Sequence, residues 1–204
     1  MLNIRILESD RQISALINRG LATAFDRTMR QNLPAFSIRM RAIVGNALYN
    51  SQEIQSLSGG TLMADFGLTF DPSHSIVSSV ISSLHISPRR TPSSAATISG
   101  GFDLTMQPSD YANLLSLPAA QQIIDGGSIP WLEWLLTLGD AVILANFGVE
   151  YGPFGRTGRA HMTPNSKPFK VNSSFSGSPD NNFITRAIQT ASREIETAIR
   201  GVLQ

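Results

Sequence analysis

Phe147-Gly148-Val149-Glu150-Tyr151-Gly152-Pro153-Phe154-Gly155-Arg156-Thr157-Gly158-Arg159 decides how the chain folds. An apolar run, Ala141 to Tyr151, predicts a strand. The next segment, Gly152 to Pro164, is too rich in glycine and proline for regular helix and predicts an exposed loop. After Lys167-Pro168-Phe169, a short strand is expected over Phe169 to Phe175. A closing helix then runs from Pro179 to Leu203, with Ser178 as its cap, Pro179 at its first position and Asp180 in its first turn. Phe183, Ile184, Ala187, Ile188, Ala191, Ile195, Ala198, Ile199 and Val202 form its apolar stripe. Ile188, Ile195 and Ile199 are expected to dock on the first helix and on the strand around Ile143. A strand, an exposed arm and a docking helix suit a chain that assembles with copies of itself.

Upstream, Ser9 and Gln12 have capping-box spacing before a helix expected to end near Arg30. Ile13, Leu16, Ile17, Gly20, Leu21, Ala24 and Phe25 share one face at helical spacing. Asn32-Leu33-Pro34 predicts a break, because proline disfavours helix in the residue before it. A second helix follows to Leu57, burying Phe36, Met40, Ile43, Val44, Ala47 and Leu48, and stops at Ser58-Gly59-Gly60. One or two further turns are expected over Thr61 to Leu68. Ser75 to Ile86 fits helix better than strand. Pro88 to Ser94 reads as a loop, and Ala96 to Met106 as a strand interrupted at Gly100-Gly101. Short helices are expected within Ser109 to Ile124 and over Pro130 to Leu138, with a break at Gly126-Gly127. The expected whole is one α+β domain: a small antiparallel sheet packed by long N-terminal and C-terminal amphipathic helices, with an extended arm at about 152–168.

Composition narrows the function classes. With 204 residues, 42% of them hydrophobic, the chain can bury a core. No apolar run approaches the ~20 residues a membrane span needs, so no membrane partner is expected. Met1-Leu2-Asn3-Ile4-Arg5 opens no signal-peptide apolar region. The absence of cysteine excludes disulfides and thiolate metal sites, and fits synthesis in a reducing cytoplasm. The net charge of +1 conceals segregation: +4 over residues 1–50, −7 over 51–150 and +4 over 151–204. Basic ends and an acidic middle can pair between subunits, or can simply be solvated faces. The cations are fourteen arginines and two lysines, and arginine suits interfaces through its planar bidentate contacts.

No bond chemistry announces itself. His74, His85 and His161 lie far apart, with no carboxylate at helical metal spacing. Gly-x-Ser-x-Gly is absent. The loop at Gly152 has glycines and arginines but lacks the Gly-Lys-Ser/Thr that opens a P-loop helix. Glu133, Asp140 and Glu150 flank an apolar segment without the company a hydrolase or nuclease would need, and Trp131 and Trp134 read as core. Hence no catalytic residue, no metal ligand and no cofactor site is named, and an enzyme is not expected. The candidate interface residues are Phe154 and Met162 as apolar anchors, with Arg156, Arg159, Lys167 and Lys170 as charges that could meet acids of a neighbour or phosphates of DNA.

Three segments resemble the neck and tail-completion proteins of tailed bacteriophages. Ser58-Gly59-Gly60-Thr61-Leu62 is similar to a Thr-Gly-x-Leu-like element that follows the family's long N-terminal helix. Ala145-Asn146-Phe147-Gly148-Val149-Glu150-Tyr151-Gly152 is similar to a strand of the form Ala-x-x-Val-Glu-Phe-Gly-Thr, with Gly148 as an extra residue and Pro153 where threonine is usual. Pro168-Phe169 and the amphipathic stretch Phe183 to Leu203 complete the order, although Lys170 to Pro179 separates them. Asn181 to Ile188 also looks like structural proteins of contractile-tailed phages. The resemblance implies an α+β virion protein at the head–tail junction. It would form a ring of six or twelve copies that joins portal or connector to tail, beside terminator or sheath proteins. Tail terminator, baseplate component and a non-specific nucleic-acid-binding module using the basic loop and the Arg-rich first helix are the alternatives. Non-specific contact with packaged DNA is a further expected partner.

Overall fold

The computed structural model describes residues 9–94, 96–124, 127–164 and 167–202. Met1–Arg5, Gly126 and Leu203 of the readings above fall outside that range, as do two positions of the arm, 165 and 166. The class is α+β: a long N-terminal helix, shorter helices, and small antiparallel sheets of two strands each. The chain divides into two compact units. One takes the described parts of Met1–Met40, Leu84–Thr105 and Arg193–Gln204; the other takes Arg41–Ser83 and the described parts of Met106–Ser192.

Helix α1 runs unbroken from Asp10 to Tyr49 with Pro34 inside it. Its start is the expected capping box: Ser9 N–H donates to Gln12 Oε1 at 2.8 Å, and Gln12 N–H to Ser9 Oγ at 3.4 Å. The break expected at Pro34 does not occur. Proline there costs a backbone hydrogen bond, about 3 kcal/mol. Buried Met29 and Phe36 lie on either side of it, and each such side chain contributes about 1.5–3 kcal/mol. The buried face differs in part from the expected one. Over the first expected helix the buried positions are Ala22 and Met29, while Leu16, Ile17 and Leu21 are 58%, 57% and 54% exposed. Further along, the expected stripe is met, with Phe36, Met40, Val44 and Leu48 buried and Ile43 and Ala47 half-buried.

In the first unit, strands β1 (His85–Arg89) and β2 (Gly101–Thr105) form an antiparallel hairpin. Pro88 and Arg89 therefore belong to a strand rather than a loop. The Phe36 ring stacks on Phe102, with centroids 3.8 Å apart and planes at 17°. Gly100 stands just before β2 because space is short: a Cβ there would lie 2.6 Å from the Phe25 ring and 2.5 Å from Thr91 Oγ1. Helix α8 (Ser192–Val202) contributes Ala198, fully buried.

In the second unit, α2 (Gln52–Gly59) is capped by Ser51, and α3 (Thr61–Asp65) follows after Gly60. Helix α4 (Ser73–Ser83) realises the helical reading of that segment, which turns to strand only from His85. After α5 (Pro108–Leu115), β3 (Gln122–Ile124) and β4 (Gly127–Ile129) make an unforeseen hairpin. Helix α6 (Trp131–Glu133) runs into a π-turn at Trp134–Leu138, burying Trp131, Leu132, Leu135 and Leu136. Gly177 lies against this turn so closely that a Cβ would fall 1.8 Å from the Leu135 carbonyl oxygen.

The long strand expected from Ala141 shortens to β5 (Phe147–Tyr151), because Asn146 takes a left-handed φ of 62°. It pairs with β6 (Ala160–Pro164), a segment the composition placed in the loop. The strand expected over Phe169 to Phe175 reduces to a single bridge between Phe169 and Leu144, and the chain then turns at Asn172. The closing helix begins later than expected. Asn182, not Ser178, caps α7 (Phe183–Thr190): its Oδ1 accepts the N–H groups of Ile184 and Thr185 at 3.1 and 3.2 Å. At Ala191 the helix divides into α7 and α8. Phe183, Ile184, Ala187, Ala191 and Ala198 are its buried residues, whereas Ile188, Ile195 and Ile199 are only half-buried. Arg186 on α7 donates to buried Glu53 on α2 at 2.6 Å, which ties these two helices together.

Candidate assembly surface

The loop between β5 and β6 is a structured hairpin tip. Gly152 N–H donates to Arg159 carbonyl at 2.9 Å, extending the ladder one step beyond Tyr151 and Ala160. Gly155 has a φ of 68°, and a Cβ there would meet the Ala160 carbonyl oxygen at 2.3 Å. Only glycine lets the tip fold back so closely.

Both arginines of the tip reach the α2–α3 corner. Arg156 donates to the Gly67 carbonyl at 2.8 Å, and Arg159 to the Gly59 carbonyl at 3.0 Å. They therefore do not project as a free arm, although each guanidinium keeps further N–H donors for a partner. Phe154 is 45% exposed; its ring stands over Gly152 and meets the His161 ring edge-on at 5.1 Å. Met162 is half-buried in the wall of a 310 Å³ cavity shared with Phe66, Ile129, Leu144 and Val149. Two polar atoms from residues of that wall, Thr157 Oγ1 and His161 Nδ1, are buried without a hydrogen-bond partner. Across the ladder, His161 Nε2 lies 3.7 Å from Glu150. Lys167 and Lys170 border a separate 670 Å³ cleft with Asp140, whose carboxylate is 3.6 Å from Lys170. That pair is exposed on both sides and contributes little.

Sequence reasoning missed Asp65 and Tyr151, which join the hairpin to the α2–α3 corner. The Tyr151 hydroxyl donates to Asp65 Oδ1. Burial raises the Asp65 carboxyl above its ordinary pKa, with the Tyr151 hydrogen bond opposing, and burial with the Asp65 carboxylate raises the phenol. The signal was available: an acid within the apolar turn Leu62-Met63-Ala64-Asp65-Phe66 needs a donor. The 670 Å³ cleft takes residues from each of the first three motif segments: Thr61, then Gly148, Val149 and Tyr151, then Pro168 and Phe169.

Between Val142 and Phe154 five large apolar or aromatic side chains are exposed, with exposed Asn146 and Glu150 among them. Val142, Leu144, Phe147, Tyr151 and Phe154 are 53%, 36%, 40%, 55% and 45% exposed. Isolated exposed apolar groups are ordinary, whereas contiguous apolar patches are the usual sign of an interaction surface. Among the described residues no three His, Asp or Glu side chains gather into a metal cluster, and no helix is long and apolar enough to cross a membrane. Comparison with protein-family models, curated proteins and solved structures finds no match to this chain.

Proposed function

We propose that this chain is a structural subunit of the head–tail junction of a tailed phage, forming a ring through the β5–β6 hairpin. The observation that carries the reading is the set of exposed side chains Phe147, Tyr151 and Phe154 on a hairpin whose tip is fixed by Arg156, Arg159 and Gly155, with exposed Val142 and Leu144 just before it. A fixed apolar edge loses little conformational entropy on docking, which favours repeated self-association. Meeting of Thr61, the Gly148–Tyr151 stretch and Pro168-Phe169 at one cleft supports the same reading, because their order in sequence then has a spatial counterpart. The partners are further copies of the chain and the adjoining connector, terminator or sheath proteins.

The test is the mass of the purified protein in solution, alone and with portal or tail protein. A ring-sized species is expected. Phe147→Asp with Phe154→Asp, both at exposed positions, should leave a folded subunit that stays monomeric and does not join the neck. A parent that is monomeric alone and with both partners would overturn the reading, as would a double variant that assembles normally. The arginines make poorer test sites, since replacing them also removes the hydrogen bonds to Gly59 and Gly67.

A further inference from the structure

Three arginines of the first unit converge around a single carboxylate, Asp26. Arg27 and Arg30 leave α1 one turn apart, and Arg90 directly follows β1. With Thr23, Asp26 and Gln31 they line an open concavity of 550 Å³. Its one acid is already engaged: Asp26 Oδ1 accepts the Thr91 N–H at 3.0 Å. The hydrogen bonding of Thr91, followed by the nearby Arg30 and Arg90, holds this carboxyl below the usual range, so it is ionised at neutral pH. Three positive charges thus face one negative. Arg89 shows the contrast, since it is paired across the hairpin with Asp103. None of Arg27, Arg30 and Arg90 closes an ion pair among the described residues.

Crowded guanidinium groups repel one another unless an anion lies between them, and their planar forks match phosphate oxygens. The shape of the site selects among phosphates. Thr23, Arg27, Arg30, Gln31 and Arg90 are all exposed, and the basic line continues back along the helix to exposed Arg19. Arg19 to Arg30 covers about 16 Å of helix. A discrete phosphate would call for an enclosing pocket, whereas a long open stripe suits a row of phosphodiesters. We propose that this face of α1, together with Arg90, holds the phosphate backbone of a nucleic acid without reading its sequence. The proposal is separate from the assembly reading, because it shares no residue with the β5–β6 hairpin. It also places nucleic-acid contact on residues other than Arg156 and Arg159.

Fluorescence anisotropy of short labelled DNA duplexes with the full chain tests it, over about 50 to 200 mM salt. Two duplexes of unrelated sequence should bind alike, with log affinity falling linearly against log salt. Each of Arg27→Gln, Arg30→Gln and Arg90→Gln should reduce that slope by about 0.9, and the triple variant should weaken binding at low salt by roughly tenfold or more. Arg89→Gln should leave binding unchanged. If the triple variant loses its helical circular dichroism, the slopes of the three single variants decide. Failure of the parent to bind, or equal binding by the variants, would overturn the proposal. Displacement of the duplex by inorganic phosphate, beyond the effect of chloride at equal ionic strength, would replace it with a discrete phosphate site.

Discussion

At the scale of single residues, Asp65 shows how a group invisible to motif searches fixes the candidate surface. It is a nearly buried carboxyl whose pKa burial has raised, and its named side-chain donor is the Tyr151 hydroxyl. For an acid with a raised folded-state pKa, the ionised form costs stability. That cost is present above the raised pKa and is relieved as pH falls towards the ordinary carboxyl range. Asp65→Asn keeps an acceptor for Tyr151 and removes the charge. The variant's melting temperature relative to the parent's should therefore be higher at pH 7 than at pH 4. Equal differences at the two pH values would show that Asp65 is not the buried carboxyl described. The residue scale is also where the sequence was least legible. Phe154 and Met162 could be picked out as apolar groups in a glycine-rich loop, but nothing local indicated that Arg156 and Arg159 would reach the carbonyls of Gly67 and Gly59. A guanidinium bond to a backbone carbonyl needs no particular partner side chain, so it leaves no pairwise trace in the sequence.

At the scale of elements, what could be read depended on whether the deciding interaction was local. The Ser9–Gln12 box, the helix after Pro130 and the strand ending at Tyr151 were legible from neighbouring residues. The cap of α7 was misplaced because Ser178 and Asn182 are both good caps. The short bridge between Ser178 and Asn181 occupies the segment that would have been the first turn. Asn182 satisfies two amide groups and is itself 1% exposed, so its loss should be felt throughout the helix. Asn182→Ala should destabilise the protein by about 1–2 kcal/mol in denaturant unfolding. Ser178→Ala, in contrast, should change stability by less than about 0.5 kcal/mol. The reverse ranking would restore Ser178 as the effective cap. Pro34 is the same lesson at a larger energy: a local breaking signal lost to burial on both sides of it.

At the scale of the whole molecule, the α+β class was legible from the two helical ends and the strand-like middle, whereas the division into two units was not. Units assembled from separated segments are defined by contacts between residues far apart in sequence, and no periodicity records those. The second unit is complete by Ser192, while the first draws on both ends of the chain. A chain ending at Ser192 should therefore keep a cooperative melt from the second unit. It should also show amide-exchange protection that is lost across β1–β2 and the first three turns of α1 before any loss in α2–α4. Uniform loss of protection would mean that the units are one cooperative block. The same arrangement sets an order of events on the ribosome. The first helix emerges with residues 10–40 lacking α8, so its apolar side chains must wait until Ser192–Val202 has been made before their own unit can close. A pause or a nascent-chain chaperone acting on this protein would thus protect α1 until α8 is made.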